Sequence, residues 1–232
     1  MIPWKTIDRL PLPAGGGELS LHRRGDEFSI RVDGLELMNS LAHESEDALA
    51  RLACGRIAGR PGACVLIGGL GMGFTLASAL RGLSSRAKVV VAEVVPAVVA
   101  WNREHLADLS GRPLEDERVT VREADVARIL KEERGAYDAI MLDVDNGPEG
   151  LTLKSNGWLY TRTGLDASYA ALRPAGVLAI WSDKSHDAFI KRLRQTGFEV
   201  EEIRVLSKSR HGAARYTIWI AQKREIVSRS KG

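Results

Sequence analysis

The sequence predicts an α/β fold, with a mostly parallel sheet, helices on both faces and a small antiparallel β-meander in front. Three observations predict it. From Ala63 onward, short continuous apolar runs alternate with amphipathic stretches, the pattern of parallel strands covered on both faces by crossover helices. Before that point the runs alternate apolar with polar and are split by Gly-containing turns, as in a half-exposed antiparallel sheet. The last two apolar runs are joined by a polar loop with no helix, so at least one of them is antiparallel.

Each element follows from its residues. Leu19-Ser20-Leu21-His22 and Phe28-Ser29-Ile30-Arg31-Val32 alternate, with Arg24-Gly25-Asp26 turning between them. Asp33-Gly34 is a second turn signal, before Leu35-Glu36-Leu37. Ser45-Glu46-Asp47 opens a helix whose apolar stripe is Ala48, Leu49, Leu52 and Ala53, and Gly59-Arg60-Pro61-Gly62 ends it. The main domain then reads as strand Cys64 to Ile67, helix Phe74 to Leu83, strand Lys88 to Ala92 and helix Pro96 to Leu109. Strand Val119 to Val121, a short helix after Asp125 and strand Tyr137 to Leu142 follow. Helix Leu165 to Leu172, strand Val177 to Trp181, helix Ala188 to Gln195 and strands Phe198 to Val205 and Tyr216 to Ala221 complete it. Residues 1–60 are thus read as an N-terminal β-region with a helix, 61–222 as the main domain and 223–232 as a polar, basic tail.

Composition bounds the function. A chain of 232 residues with 44% hydrophobic and 27% charged residues holds one main domain with its own core. Lys and Arg number 33 against 30 Asp and Glu, for a net charge of +3. That mixed surface disfavours a dedicated nucleic-acid binder, although the segment from Arg204 holds eight basic residues and one acid, Glu225. Cys54 and Cys64 form no metal-pair spacing and read as reduced thiols. No apolar run approaches the ~18 residues of a membrane span, and the start lacks a signal-peptide pattern. The expectation is a cytoplasmic protein without membrane partners.

In an open α/β sheet, ligands bind beyond the carboxyl ends of the strands. Here those ends carry Gly69-Leu70-Gly71-Met72-Gly73, then Glu93, then Asp125, then Asp143-Val144-Asp145-Asn146-Gly147-Pro148. Glycines between a strand and a helix let a nucleotide approach the backbone. The spacing is G-x-G-x-G; the dinucleotide fingerprint would need a glycine where Phe74 stands. Glu93, 20 residues past Gly73, is placed to accept both ribose hydroxyls, and Asp125 to accept from an adenine amine. The plainer alternative is that Glu93 and Asp125 cap the helices that follow them. The Asp pair reads either as an amine site or as a turn before Asn146-Gly147-Pro148.

These residues resemble class I S-adenosylmethionine-dependent transferases, and more narrowly the spermidine synthase (polyamine aminopropyltransferase) family. That family carries Tyr-Asp-x-Ile-x-x-Asp, a second Asp and Gly-Pro, then Leu-Phe/Tyr-Thr and Leu-x-Pro-x-Gly-Val-Leu. This chain reads Tyr137-Asp138-Ala139-Ile140-Met141-Leu142-Asp143, then Leu159-Tyr160-Thr161, then Leu172-Arg173-Pro174-Ala175-Gly176-Val177-Leu178. The resemblance spans roughly residues 64–222 and implies the Rossmann-like class I methyltransferase fold. It implies S-adenosylmethionine or its decarboxylated form as donor, held by Gly69, Gly71, Met72, Gly73, Glu93, Asp125, Val126 and Asp143. It also implies a small amine acceptor, a homodimer and no metal.

Three departures separate the chain from the family pattern. The family's loop is Gly-Gly-Gly-Asp-Gly, and its Asp holds the aminopropyl ammonium; Gly71 stands there here. Losing such a charge-assisted bond costs roughly ten- to a hundredfold in affinity, and also removes repulsion against intact S-adenosylmethionine. The Asp-x-x-Asp spacing is shortened to Asp143-Val144-Asp145, and Tyr-His-Glu is echoed only by Ala42-His43-Glu44. Thr152 to Trp158 looks inserted and is a candidate part of the amine pocket.

Displacement at a sulfonium needs acceptor and carbon in line, about 3–3.5 Å apart, and neither metal nor covalent nucleophile. An amine acceptor must lose a proton, with an unperturbed pKa near ~10. Asp143 is the candidate base or orienting acceptor, Asp145 a second amine contact and Tyr160 a hydroxyl donor to the pocket. His43 and Trp158 are further pocket candidates. The Asp pair favours aminopropyl transfer to an amine; Gly71 favours methyl transfer to a small molecule. A non-catalytic nucleoside-binding relative is the third reading, and nucleic-acid modification the last.

Overall fold

The computed structural model describes residues 2–12, 17–144, 148, 154–209 and 212–225. Strands β1 (Lys5–Pro11), β2 (Glu18–Arg24), β3 (Glu27–Val32) and β4 (Leu35–Asn39) form a four-stranded antiparallel sheet in that order. The sequence reading carries no strand at β1. Nearly all of its residues are exposed, so it has no apolar alternation, and its ladder to β2 alone makes it a strand.

The second sheet has seven strands, β5 (Cys64–Gly68), β6 (Lys88–Ala92), β7 (Val119–Arg122), β8 (Tyr137–Leu142), β9 (Leu172–Ser182), β10 (Phe198–Ser209) and β11 (Gly212–Lys223). Their order is β10-β11-β9-β8-β5-β6-β7. Strands β9, β8, β5, β6 and β7 run parallel, and β11 runs antiparallel to both β9 and β10. The antiparallel member follows from the β10–β11 hairpin, which has no helix to return the chain to the other edge.

Among the described residues, six α-helices cover the sheet: α1 (Glu44–Arg56), α2 (Phe74–Gly82), α3 (Pro96–Arg103), α4 (Val126–Glu132), α5 (Arg162–Ala171) and α6 (Asp187–Thr196). Alternate strand residues serve opposite faces. Val65, Ile67, Ala139 and Met141 pack with α1, α2, α3 and the small sheet; Leu66, Ile140 and Leu142 pack with α4, α5 and α6. Helices on both sides therefore explain why these strands read as unbroken apolar runs. No helix among the described residues is long and apolar enough to cross a membrane. Cys54 and Cys64 are free thiols, and burial pushes the Cys54 thiol up to about 11.

Several boundaries differ from the sequence expectation: β9 begins at Leu172 rather than Val177, β10 runs on to Ser209, β11 spans Gly212–Lys223, and two helix ends move as well. The helix expected to reach Leu109 stops at Arg103; Leu106 N–H then bonds back to Trp101 O at 2.8 Å, and a 3₁₀ turn covers Ala107–Leu109. This widened turn lets both Trp101 and Leu106 stay buried. Helix α5 starts three residues early because the Thr161 hydroxyl accepts from Gly164 N at 3.2 Å, capping its first turn.

Asp138, part of the quoted motif, has a structural role at the start of β8. Its carboxylate, 6% exposed, accepts from Arg60 at 2.8 Å, Arg173 at 2.6 Å and the backbone N–H of Cys64 at 2.8 Å. Asp138→Asn is expected to lower stability by about 1–3 kcal/mol, measured by chemical denaturation. The half-exposed arginines can still reach water, which holds the loss below that of a sealed pair.

Candidate active site

The parallel strands β5, β6, β7 and β8 end along one edge, and hydrogen bonds stitch their tips together. Gly69 N donates to Ala92 O at 2.9 Å, Asp143 N to Gly68 O at 2.9 Å and Glu93 N to Arg122 O at 3.0 Å. Sheet order reverses direction around β5 and β8, the switch point where α/β sheets open a crevice. A cleft of about 730 Å³, its open mouth included, lies there.

Gly69 sits at φ +89, and a Cβ on it would lie 2.2 Å from the carbonyl oxygen of Asp143. Only glycine lets these two strand tips approach so closely. Gly71 is also left-handed, at φ +52, and its carbonyl accepts from buried Asn102 Nδ2 at 2.8 Å. The same Asn102 amide bonds Val98 O at 2.9 Å, so α3 braces the loop. A Cβ at position 71 would meet Met38 Sδ at 3.1 Å. The thioether of β4 thus stands where a loop aspartate would project.

Glu93 is buried, and its two oxygens accept from Leu70 N at 3.0 Å and Val95 N at 2.9 Å. Burial pushes its carboxyl above the ordinary range, and the backbone hydrogen bonds oppose the shift. Asp125 Oδ1 accepts from Ala127 N at 2.8 Å and caps α4, which leaves its other oxygen outside that bond. Asp143 is half-buried and its Oδ2 accepts from the Thr75 hydroxyl at 2.7 Å. Desolvation pushes its carboxyl up, and the Thr75 bond pulls it back.

Of the residues expected from the sequence, Gly69, Gly71, Glu93, Asp125, Val126 and Asp143 line this one cleft. Met72 and Gly73 do not: Met72 is buried in the core, and Gly73 serves as the N-cap of α2. Asp145 lies outside the described residues. Tyr160 is not brought to the cleft either. Its ring packs edge-on against Phe189 of α6 at 5.7 Å, and its carbonyl accepts from Arg192, because the 3₁₀ turn Lys154–Tyr160 leads directly into α5 on that face. Trp158 lies under Lys131 Nζ, 4.3 Å from the ring centroid, also away from the cleft lining. His43 stacks on Phe74 at 4.1 Å and bonds Asp47 at 2.8 Å.

Further residues complete the cleft. Leu12, Leu19, Ile30, Leu37 and Met38 make an apolar wall from the small sheet, and Asn156 reaches in from the 3₁₀ turn. In the sequence Leu19, Ile30 and Leu37 read as strand residues of the meander, and Asn156 falls within the stretch Thr152 to Trp158 expected near the amine pocket. Among the described residues, the charged side chains lining the cleft are Glu93, Asp125 and Asp143, and no basic one joins them.

Comparison with known proteins gives the same fold. Polyamine aminopropyltransferase 2 of Pseudomonas aeruginosa is 32% identical over 151 residues, which cover 60% of this chain and 41% of that relative. The chain therefore spans well under half the length of this curated relative. The spermidine synthase of Thermotoga maritima superposes with a TM-score of 0.74 at 19% identity, covering 94% of this chain and 73% of that one. A spermidine synthase in complex with the transition-state analogue AdoDATO superposes at 0.71 with 20% identity, covering 94% and 72%. Residues 54–205, most of the larger sheet with its helices, match the spermine/spermidine synthase domain. The chain belongs to the spermine/spermidine synthase family.

Proposed function

We propose that the chain transfers an aminopropyl group from decarboxylated S-adenosylmethionine to an amine, releasing methylthioadenosine. One observation carries this reading: three carboxylates and no basic side chain line the cleft among the described residues. Such a lining repels the carboxylate of intact S-adenosylmethionine and attracts a donor whose sulfonium and ammonium are both cationic. The name of the Pseudomonas relative supports the same reaction.

Each side chain then has a task. Glu93, fixed by two backbone N–H groups, accepts the ribose hydroxyls with its remaining lone pairs. Asp125 accepts the adenine amine beside the Val126 wall, while Gly69 and Gly71 let the thioether end pass close to the backbone. Asp143, half-buried and raised in pKa, takes the acceptor's proton. The amine lone pair forms the new C–N bond as the C–S bond breaks, so the positive charge leaves sulfur and its excess proton passes to Asp143. Tyr160 has no part in this scheme, and nothing in it rests on Asp145.

Gly71 favours a second reading, methyl transfer from intact S-adenosylmethionine, because Met38 rather than a carboxylate faces that part of the loop. Calorimetry with S-adenosylmethionine, its decarboxylated form and methylthioadenosine, followed by putrescine turnover with the preferred donor, decides between them. Preference for the intact donor sinks aminopropyl transfer. Glu93→Gln is expected to weaken methylthioadenosine binding about ten- to a hundredfold, since its amide also points a donor at a backbone N–H. Unchanged affinity removes Glu93 from the donor site.

A further inference from the structure

The 3₁₀ turn Lys154–Tyr160 is anchored on α4 and α5. Its Leu159 is buried in one apolar cluster with Val126, Leu130 and Leu165. Trp158 carries Lys131 of α4 over its ring, and its carbonyl accepts from Thr161 Oγ1 at 2.7 Å. The turn lies tight on α5, where a Cβ on Gly164 would stand 2.1 Å from Trp158 O. From this fixed base Asn156 reaches the cleft, which Asp125 and Val126 line at the start of α4.

Asn156 is 8% exposed, and among the described residues its side-chain amide has no hydrogen-bond partner. Neither amide atom is sealed from solvent, so the exposure the residue keeps is toward the cleft it lines. Buried amides are almost always paired; here the open side is the cleft, and the missing partner is a ligand. The other described lining side chains with nitrogen or oxygen atoms are Glu93, Asp125 and Asp143. Those are acceptors only when ionised. Asn156 Nδ2 is therefore the one amide donor that a side chain offers to the cleft among the described residues.

We propose that Asn156 reads the base of the donor: Nδ2 donates to a ring nitrogen beside the 6-amine of adenine, while the Asp125 oxygen outside the helix cap accepts from that amine. The inference deepens the proposed function and rests on its placement of the adenosyl group. Adenine presents there one amine donor flanked by two ring acceptors, N1 and N7. A carboxylate serves the amine alone. The ring nitrogen needs a donor, and a side-chain amide supplies it, as in the common amide pairing with adenine. Because the turn is already packed in place, little ordering opposes the contact. The stretch expected near the amine pocket thus serves the base.

The test is calorimetry of methylthioadenosine and of its 1-deaza and 7-deaza analogues, each with one ring nitrogen replaced by CH. Wild type is expected to bind one of the two analogues at least ~10-fold more weakly than methylthioadenosine. Asn156→Leu keeps the size and loses the donor; it is expected to bind methylthioadenosine ~10-fold more weakly and no longer to distinguish that analogue. Asn156→Gln, which keeps an amide, is expected to regain part of both. Equal affinity of wild type for all three nucleosides overturns the proposal without recourse to a variant. So does an Asn156→Leu protein that binds methylthioadenosine as wild type does, or that still discriminates the analogues. Turnover is read separately. Discrimination that depends on Asn156, in a protein that transfers no aminopropyl group to putrescine, sinks the transfer reading and leaves the Asn156 assignment standing. An undiscriminating wild type that does transfer the group has the opposite outcome.

Discussion

Asp143→Asn is expected to bind methylthioadenosine as wild type does while losing about 10²- to 10⁴-fold in aminopropyl transfer, the usual worth of a positioned base. The asparagine keeps the shape and can still accept from Thr75, so the adenosyl end of the cleft is unchanged; what it loses is the ability to take a proton. The pH profile carries the same signature. Desolvation raises the Asp143 carboxyl, so the base form appears only above the ordinary carboxylate range. Wild-type kcat/KM is expected to rise with pH through that raised value on top of the rise from deprotonation of the acceptor amine, and only the Asp143 step is expected to vanish in Asp143→Asn. Steady-state rates across pH 5–9, with binding measured in parallel, check both. Unchanged turnover in the variant removes Asp143 from the chemistry.

Gly69→Ala is expected to be the most damaging single methyl in the loop. At φ +89 a side chain is strained whatever surrounds it, and the new Cβ lands 2.2 Å from Asp143 O and 3.0 Å from its carbonyl carbon. Both obstacles are backbone just past the β5–β8 ladder, tied to it by the bond from Asp143 N to Gly68 O, so relief means parting the tips of β5 and β8. We expect a loss of about 3 kcal/mol or more in stability, together with loss of methylthioadenosine binding. Gly71→Ala is the control: its Cβ meets only the flexible end of Met38, so its cost is about 1–2 kcal/mol, from the left-handed backbone. Denaturation curves and calorimetry on both variants test the ranking. A Gly69→Ala protein that folds and binds normally refutes the close approach of the two strand tips.

Much of this architecture is legible in the chain because local rules dictate it. Strands β6 and β8 fall on the residues their apolar runs mark, and each ends at an acid that the cleft receives. Strand β1 is not legible, since its exposed residues gain their ladder only from β2. The end of α3 is not legible either, because the turn after Arg103 is set by burying Trp101 and Leu106. The placement of Tyr160 is not legible for a related reason: the turn before α5 carries its ring toward Phe189.

Read alone, the chain settles the layer architecture, the glycine loop and the acids at the strand tips, because periodicity and turn chemistry act between near neighbours. Folding decides which of those groups share a space. Met38 against Gly71, Thr75 on Asp143 and Asn102 beneath the loop join residues far apart in the chain, and only the packing of helices and sheets sets such distances. The acidity of the site is likewise tertiary. A carboxyl's pKa depends on how much water and counter-charge surround it, and the packed helices and strand tips determine both.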